Sequence, residues 1–267
     1  MDTVGIIGAG QMGAGVAQVA AASGYSVVLV DQDLEIAKKA RDGIGKRLAR
    51  LVEKGQLESA AADAALIRIR PSADYAPLAD AGLIVEAATE REEIKRAIFS
   101  AAGKVLGAEA ILASNTSSIP ITRMAAGTAD PARFIGLHFF NPVPLMALVE
   151  VIPGLATSQD TIARVRAFAE SLGKKVVLSD DEPGFIVNRV LLPMINEAVF
   201  VLGILLLGLF GRRHRAIGGE QDAAGPGQRF PAAGEDGVEL GPEQDHRGGI
   251  SPRWLRIHRS PAIRLSS

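Results

Sequence analysis

Short hydrophobic runs alternate with longer amphipathic segments over most of the first 180 or so residues. The runs predict strands at residues 3–7, 27–30, 67–69, 82–87, 110–113, 133–138, 148–152 and 174–178. The longer segments predict helices at residues 11–23, 33–54, 90–106, 158–172 and 185–202. Strands that alternate with helices are typical of an α/β fold with a parallel, doubly wound sheet.

A glycine-rich turn joins the first predicted strand to the first predicted helix. It consists of Gly8, Ala9, Gly10, Gln11, Met12 and Gly13, in the spacing Gly-x-Gly-x-x-Gly. In this context Gly8 permits the turn, Gly10 lets a pyrophosphate approach the backbone, and Gly13 lets the helix pack closely on the strand. The sequence therefore predicts a Rossmann-type domain with a dinucleotide site at the start of this helix.

Asp31 ends the second predicted strand, where a carboxylate binds the ribose hydroxyls of NAD. The same carboxylate would repel a 2′-phosphate, and neither Gln32 nor Asp33 is an arginine that could hold one. We therefore expect NAD rather than NADP as the cofactor. A plain surface acid at a strand end is the alternative interpretation.

Polar side chains follow two later strands of the predicted sheet. Glu90 comes shortly after the fourth strand, and residues 114–118 form a Ser-Asn-Thr-Ser-Ser cluster after the fifth. Ligands of such sheets bind beyond the carboxyl ends of the strands. We therefore expect Glu90 and the cluster to face the same crevice as the glycine turn and Asp31.

His138 is the candidate for acid–base chemistry. It ends a predicted strand, and Glu150 follows on the strand predicted to be its hairpin partner or neighbour. A carboxylate that accepts a hydrogen bond from Nδ1–H fixes the tautomer and makes Nε2 a general base near neutral pH. A structural histidine and a structural ion pair are the alternatives that the residues alone leave open.

Composition narrows the functions further. The net charge is −1 and no basic stripe occurs in the first 200 residues, which disfavours nucleic acid as a partner. The chain has no cysteine, so disulfides, thiolate nucleophiles and cysteine zinc sites are excluded, and no metal site is predicted. A reducing cytoplasm is the expected location.

Seven stretches of the chain carry a resemblance to a known family. They are residues 8–13, Asp31, residues 86–90, residues 114–118, the HFFNPVP string from His138, the LVEV string from Leu148 and the PGFIVNR string from Pro183. In order and spacing the chain resembles the L-3-hydroxyacyl-CoA dehydrogenases, and in size the bacterial stand-alone 3-hydroxybutyryl-CoA dehydrogenases. The resemblance runs from residue 1 to about residue 203.

The resemblance implies oxidation of a 3-hydroxyacyl-CoA by NAD, or the reverse, and assigns roles to single residues. His138 would be the catalytic base and Glu150 its orienting carboxylate. Ser117 would hydrogen-bond the reacting oxygen beside the nicotinamide, and Asn188 would help to hold the substrate. The remaining roles are cofactor contacts by Asn141 and Glu90, assistance to Glu90 by Lys95, and a CoA contact by Lys54. A solvated surface position is the alternative for both lysines.

The chain departs from the family's pattern after Gly203. The expected divisions are an NAD-binding domain at residues 1–182, the first helix of a helical substrate and dimerisation domain at 183–203, and an atypical, disordered tail at 204–267. After Phe210 the chain is rich in glycine, proline and arginine and has no lysine. The family's homodimer surface would therefore be missing. The apolar part of residues 190–210 is about thirteen residues, short of the roughly twenty of a membrane span, so no membrane partner is expected.

Three functions remain open from the sequence. The first is an active NAD-dependent dehydrogenase of 3-hydroxyacyl-CoA. The second is an NAD-binding fragment with little or no turnover, because the helical domain is altered. The third is a related dehydrogenase of a free hydroxy acid or sugar acid.

The abrupt change of composition after Gly203 resembles translation of a GC-rich gene in a wrong reading frame. On this hypothesis, another frame of the coding DNA after codon 203 encodes amphipathic helices. Sequencing that region tests it, and a DNA in which no frame encodes helices there would contradict it.

Overall fold

One eight-stranded sheet organises the part of the chain that the structure describes. The computed structural model describes residues 2–217, with side chains up to residue 204. The strands are β1 (Thr3–Ile7), β2 (Ser26–Val30), β3 (Ile69–Ser72), β4 (Leu83–Glu86), β5 (Ile111–Ser114), β6 (Phe134–Phe139), β7 (Leu148–Pro153) and β8 (Lys175–Leu178). The helices are α1 (Gln11–Ala22), α2 (Leu34–Glu53), α3 (Ser59–Ile67), α4 (Glu92–Gly103), α5 (Ile121–Ala125), α6 (Gln159–Ser171) and α7 (Val187–Ile217).

The strand order β3-β2-β1-β4-β5-β6-β7-β8 places β1 inside the sheet. β1 pairs in parallel with β2 on one side and with β4 on the other. Its side chains alternate between two faces: Ile6 packs in the core cluster that contains residues of α1, and Ile7 packs in the cluster that contains Ala102 of α4. Helices cover both faces, as the predicted Rossmann-type, doubly wound fold requires.

The sheet is mixed rather than wholly parallel. β6 and β7 run antiparallel, with His138 directly opposite Glu150, and β8 then pairs in parallel with β7. The hairpin that the sequence offered as one possibility is therefore present. Because residues face each other directly across an antiparallel pair, this pairing sets the distance between the two side chains.

Helix α3 was not predicted, and the third strand begins later than predicted. Ile67 is the last residue of α3, and the strand begins at Ile69. The missed helix has the sequence SAAADAALI, which is rich in alanine, the strongest helix former. Its small apolar residues show no clear hydrophobic face, so periodicity could not identify it. α5, a five-residue helix after the serine cluster, was also missed.

Helix α7 is longer than predicted, and its side chains up to residue 204 are mostly exposed. It runs from Val187 to Ile217, through the predicted boundary at Gly203. Large apolar side chains from Val190 to Ile204 are 42–64% exposed. The window Val187–Ile204 has a mean hydropathy of 1.5, so by length and composition alone it could cross a membrane. Of the predicted tail, residues 218–267 lie outside the described residues.

A substitution at Gly13 tests how closely α1 packs on β1. A Cβ at Gly13 would lie 1.8 Å from the carbonyl oxygen of Gly8. We expect Gly13→Ala to lower the free energy of unfolding by about 1–3 kcal/mol, the usual cost of overpacking. Thermal unfolding measures the change. Gly10→Ala is the matched control, because its Cβ would meet nothing within 4 Å, and an equal loss of stability in both variants would contradict the packing argument.

Candidate active site

The carboxyl ends of five strands meet at one edge of the sheet and carry the predicted site residues. The glycine turn follows β1, Asp31 follows β2, and Glu90 follows β4. Residues 115–118 follow β5, while His138 is the next-to-last residue of β6, just before residues 140–141. This edge is the expected ligand crevice of an open α/β sheet.

The glycine turn has the geometry of a phosphate site. Gly8 has a φ of 99°, and a Cβ there would lie 2.5–2.7 Å from the backbone of Ala87 and Ala88. Gly10 precedes the first turn of α1, and no side chain caps the helix there. The free amides and the helix dipole favour an anion at this helix start, and a Cβ at Gly10 would project into open space. These features fit the pyrophosphate of a dinucleotide.

Asp31 is fixed at the rim of the cavity next to this turn. Its Oδ2 accepts a hydrogen bond from the Ala9 amide at 2.7 Å, and its Oδ1 accepts one from the Gln32 amide at 2.8 Å. The cavity measures about 460 Å³ and is also lined by Tyr75, Ile94 and Ile98. Carboxylate and apolar side chains together suit the ribose and base of a nucleoside.

A second cavity, of about 370 Å³, brings most of the other predicted residues together. Its lining includes three residues with predicted catalytic roles, His138, Ser117 and Asn188. It also includes four with predicted cofactor roles, Met12, Glu90, Lys95 and Asn141. Residues predicted to act in catalysis and residues predicted to bind the cofactor therefore line the same cavity.

His138 and Glu150 form a buried pair behind this cavity. The imidazole Nδ1 lies 2.7 Å from Glu150 Oε2, and their side chains are 8% and 1% exposed. Glu150 Oε1 accepts hydrogen bonds from the amides of Ile186 and Val187, at the start of α7. Burial opposes ionisation of Glu150, but the hydrogen bonds from His138 and these amides outweigh it and lower its pKa. Glu150 is therefore ionised at neutral pH, with its charge directed at His138.

Glu90 gathers the serine cluster around one carboxylate oxygen. Its Oε1 accepts hydrogen bonds from the Ser117 amide at 2.8 Å and from three hydroxyl groups, those of Thr116, Ser117 and Ser118, at 2.7–3.1 Å. Burial opposes ionisation of Glu90, but the bonds from Thr116 and Ser117 and the nearby Lys95 charge lower its pKa. Glu90 is thus an anion beside Ser117.

Two amide side chains complete the cavity wall. Asn141 Oδ1 accepts a hydrogen bond from Gln11 Nε2 at 2.9 Å, which links the loop after β6 to the glycine turn. Asn188, in the first turn of α7, directs its Nδ2 at the carbonyl oxygen of Ser117 at 3.5 Å. Among the side chains that the structure describes, up to residue 204, no group of three metal-ligating residues occurs.

A model of the NAD binding domain of 3-hydroxyacyl-CoA dehydrogenases matches residues 3–182. The chain belongs to this family. NAD is accordingly its cofactor, and the free helix start, the open side of Gly10 and the fixed Asp31 are the features of the structure that fit it.

Relatives of this family are similar over about three quarters of the chain. A 3-hydroxybutyryl-CoA dehydrogenase of Bradyrhizobium diazoefficiens is 52% identical over 199 residues, which cover 74% of this chain and 68% of that protein. The mitochondrial hydroxyacyl-coenzyme A dehydrogenase of Sus scrofa is 46% identical over 73% of this chain and 64% of its own length. The crystal structure of (S)-3-hydroxybutyryl-CoA dehydrogenase from Ralstonia eutropha has 48% identity and a TM-score of 0.75, covering 77% of this chain and 73% of that one.

The two predicted lysines of this family member differ from each other in the structure. Lys95 is not the solvated lysine offered as an alternative, because it is 1% exposed, and its closest carboxylate is Glu86 at 2.6 Å rather than Glu90 at 3.8 Å. Lys54 is exposed after the end of α2 and lines neither cavity. Arg50 and Arg47, on the same helix, line a third cavity with Gln11 and residues 141–145.

Several residues of the site had no predicted role of their own, and Ser114 was predicted only as a member of the cluster that faces the crevice. Glu86 and Ser114, the last residues of β4 and β5, are fully buried and hydrogen-bonded to each other. Their positions at adjacent parallel strand ends were a signal that could have paired them. Tyr75 and Ile94, which line the cavity beside Asp31, carried no such signal, because they come from a loop and a helix that only the tertiary fold brings there.

The position of Asp31 predicts whether this dehydrogenase prefers NADH or NADPH. Because its carboxylate faces the expected ribose position, a 2′-phosphate would meet a negative charge, and we expect kcat/KM with NADH to exceed that with NADPH by about 100-fold or more, roughly 3 kcal/mol. Asp31→Asn should lower the ratio of kcat/KM with NADH to kcat/KM with NADPH, because it removes that negative charge. Initial rates with both cofactors measure it, and a preference of the wild type for NADPH would contradict the assignment.

Proposed function

We propose that this chain is an NAD-dependent dehydrogenase of (S)-3-hydroxyacyl-CoA, with 3-hydroxybutyryl-CoA as the most suitable substrate. It would form the 3-oxoacyl-CoA or catalyse the reverse reduction. The observation that carries the proposal is the buried His138–Glu150 pair, which faces a cavity lined by Ser117, Asn188 and the predicted cofactor contacts. The names of the relatives supply the substrate class.

The proposed mechanism starts from the tautomer of His138. The ionised Glu150 accepts a hydrogen bond from Nδ1–H, so Nε2 carries the lone pair and can remove the proton of the substrate hydroxyl. When bound, NAD supplies the acceptor for the hydrogen that leaves C3 with its electron pair. The imidazolium that forms on His138 is stabilised by the negative charge of Glu150 beside it. In the reverse direction the same imidazolium returns the proton to the oxygen.

Ser117 and Asn188 are the proposed substrate contacts. The Ser117 hydroxyl donates to Glu90 at 3.1 Å in this structure, and a rotation about χ1 would turn it towards the reacting oxygen. Asn188 lies next to Ser117 at the start of α7, whose first amides are bound by Glu150. One carboxylate therefore positions both the base and the helix that carries Asn188.

The third cavity is the proposed place for part of the CoA tail. It combines apolar residues such as Val143 and Leu145 with the guanidinium groups of Arg47 and Arg50. Arg47 is anchored by a hydrogen bond to Gln18 at 2.7 Å. Lys54 lies one turn beyond Arg50 on the same exposed face. Cationic groups around an apolar pocket suit a phosphorylated tail with an organic backbone.

NAD binding without turnover is the second candidate function. It is favoured by the exposure of α7, whose apolar side chains from Val190 to Ile204 meet no covering element among the described residues. A site that water enters is a poorer site for hydride transfer. The two candidates differ only in turnover, so one assay separates them.

His138 carries the decisive prediction. We expect the wild type to reduce acetoacetyl-CoA with NADH, and His138→Gln to lower kcat by about 10²–10⁴-fold, the contribution of a general acid–base residue. NADH oxidation measures the rate, and a thermal-shift titration with NADH checks that the variant still folds and binds the cofactor. A variant within threefold of the wild type would contradict the assigned base.

Other results of the same assay address the remaining functions. A wild type that binds NADH and does not reduce acetoacetyl-CoA supports NAD binding without turnover. Equal rates with acetoacetate and acetoacetyl-CoA would contradict the assignment of a CoA substrate.

A further inference from the structure

Glu86 is a buried carboxylate that the proposed mechanism does not use. It ends β4 and is fully buried. Its Oε1 accepts a hydrogen bond from the Ala88 amide at 2.9 Å. Its Oε2 accepts from Lys95 Nζ at 2.6 Å and from Ser114 Oγ at 3.0 Å. Three elements, β4, β5 and α4, thus meet on one side chain.

Stability alone does not explain why the chain buries the ion pair between Lys95 and Glu86. Removing a carboxylate and an ammonium from water costs several kcal/mol per ion, and apolar residues of the same volume are often as stable. Lys95 is 1% exposed, yet it also lines the cavity that contains His138 and Ser117. The pair therefore lies directly behind the candidate active site.

Lys95 lies between two carboxylates and contacts only one of them closely. Its Nζ is 2.6 Å from Glu86 Oε2 and 3.8 Å from Glu90 Oε2. The other oxygen of Glu90 already accepts hydrogen bonds from Thr116, Ser117 and Ser118. Glu90 Oε2 is consequently the oxygen left to bind a ligand, and its freedom depends on where Lys95 is held.

We propose that Glu86 is a positioning residue for the cofactor site, which holds Lys95 away from Glu90. This leaves Glu90 Oε2 as an ionised acceptor for a hydroxyl group of the bound dinucleotide. Without the Glu86 charge, the nearest anion for the Lys95 ammonium is Glu90, and closing the gap would occupy that oxygen in an ion pair. The proposal rests on the cofactor contact of Glu90 in the proposed function, and it requires NAD binding but no turnover.

Glu86→Gln is the direct test. The amide oxygen of glutamine can still accept from Ala88, while the amide nitrogen in place of Oε2 removes the charge and the acceptor that hold Lys95. We expect the Kd for NADH to rise about tenfold, while the KM for acetoacetyl-CoA stays within twofold, because the change acts on the cofactor. Fluorescence titration with NADH measures Kd. A folded variant with an unchanged Kd would overturn the proposal.

A double-mutant cycle shows whether Glu86 acts through Lys95. In a Lys95→Met background, Glu86→Gln has no ammonium to release, so the double variant should bind NADH within twofold of Lys95→Met. A further tenfold loss in that background would overturn the proposal, since Glu86 would then act by fixing the backbone. If Glu86→Gln alone does not fold, this comparison decides the question, because the double variant buries neither charge.

Glu170→Gln is the matched control. The residue makes a 2.8 Å ion pair with Arg166 on α6, and both side chains are about half exposed. The same chemical change there should alter neither the Kd for NADH nor the KM for acetoacetyl-CoA. A tenfold change in the Kd of this control would show that the effect at Glu86 does not depend on its contact with Lys95. A wild type that binds NADH without reducing acetoacetyl-CoA contradicts the proposed function alone, and the binding measurements still test Glu86.

Discussion

The hydrogen bond between His138 and Glu150 is the contact on which the arrangement of the site depends. It exists because β6 and β7 are antiparallel, which sets the two residues opposite each other. Through its second oxygen, Glu150 also binds the amides of Ile186 and Val187 at the start of α7. The Glu150 carboxylate thus connects His138 on β6, its own strand β7 and the start of α7. Loss of its charge would disturb all three.

Three carboxylates near the strand ends are buried or partly buried, and each is stabilised by a different set of hydrogen-bond donors. Glu86 is fully buried and is neutralised by an ammonium, whereas Glu90 is stabilised by hydroxyl groups and an amide. Glu150 is stabilised by an imidazole and two amides. In each case the donors compensate for the water lost on burial, as buried anions require. The donors also differ in place: the hydroxyl donors leave Glu90 at the cavity wall, and the imidazole joins Glu150 to the proposed base.

The sequence was sufficient wherever local backbone chemistry decides the structure. The glycine turn, Asp31 and the strands around them follow from φ requirements and buried runs, and the structure has them where they were predicted. Features that depend on a distant partner were not predictable. The burial of Lys95 needs Glu86 on the preceding strand, and a lysine on a helix otherwise reads as solvated. The alanine-rich α3 was missed because it has no apolar stripe, and the exposed Lys54 has no described contact that tests its predicted role.

The two halves of the candidate site depend on different parts of the chain. The phosphate turn, Asp31 and Glu90 lie within residues 3–182, the range that matches the family's NAD binding domain. Asn188 lies beyond that range, on α7, and its position relies on the two amides that Glu150 binds. The anchored first turn of α7 is followed by apolar side chains that are about half exposed. The proposed cofactor contacts therefore lie on the sheet and its helices, whereas the proposed turnover would also need α7 to hold Asn188 against Ser117. Because Glu150 makes both connections, the carboxylate that orients the proposed base also fixes the part of α7 that the proposed mechanism would use.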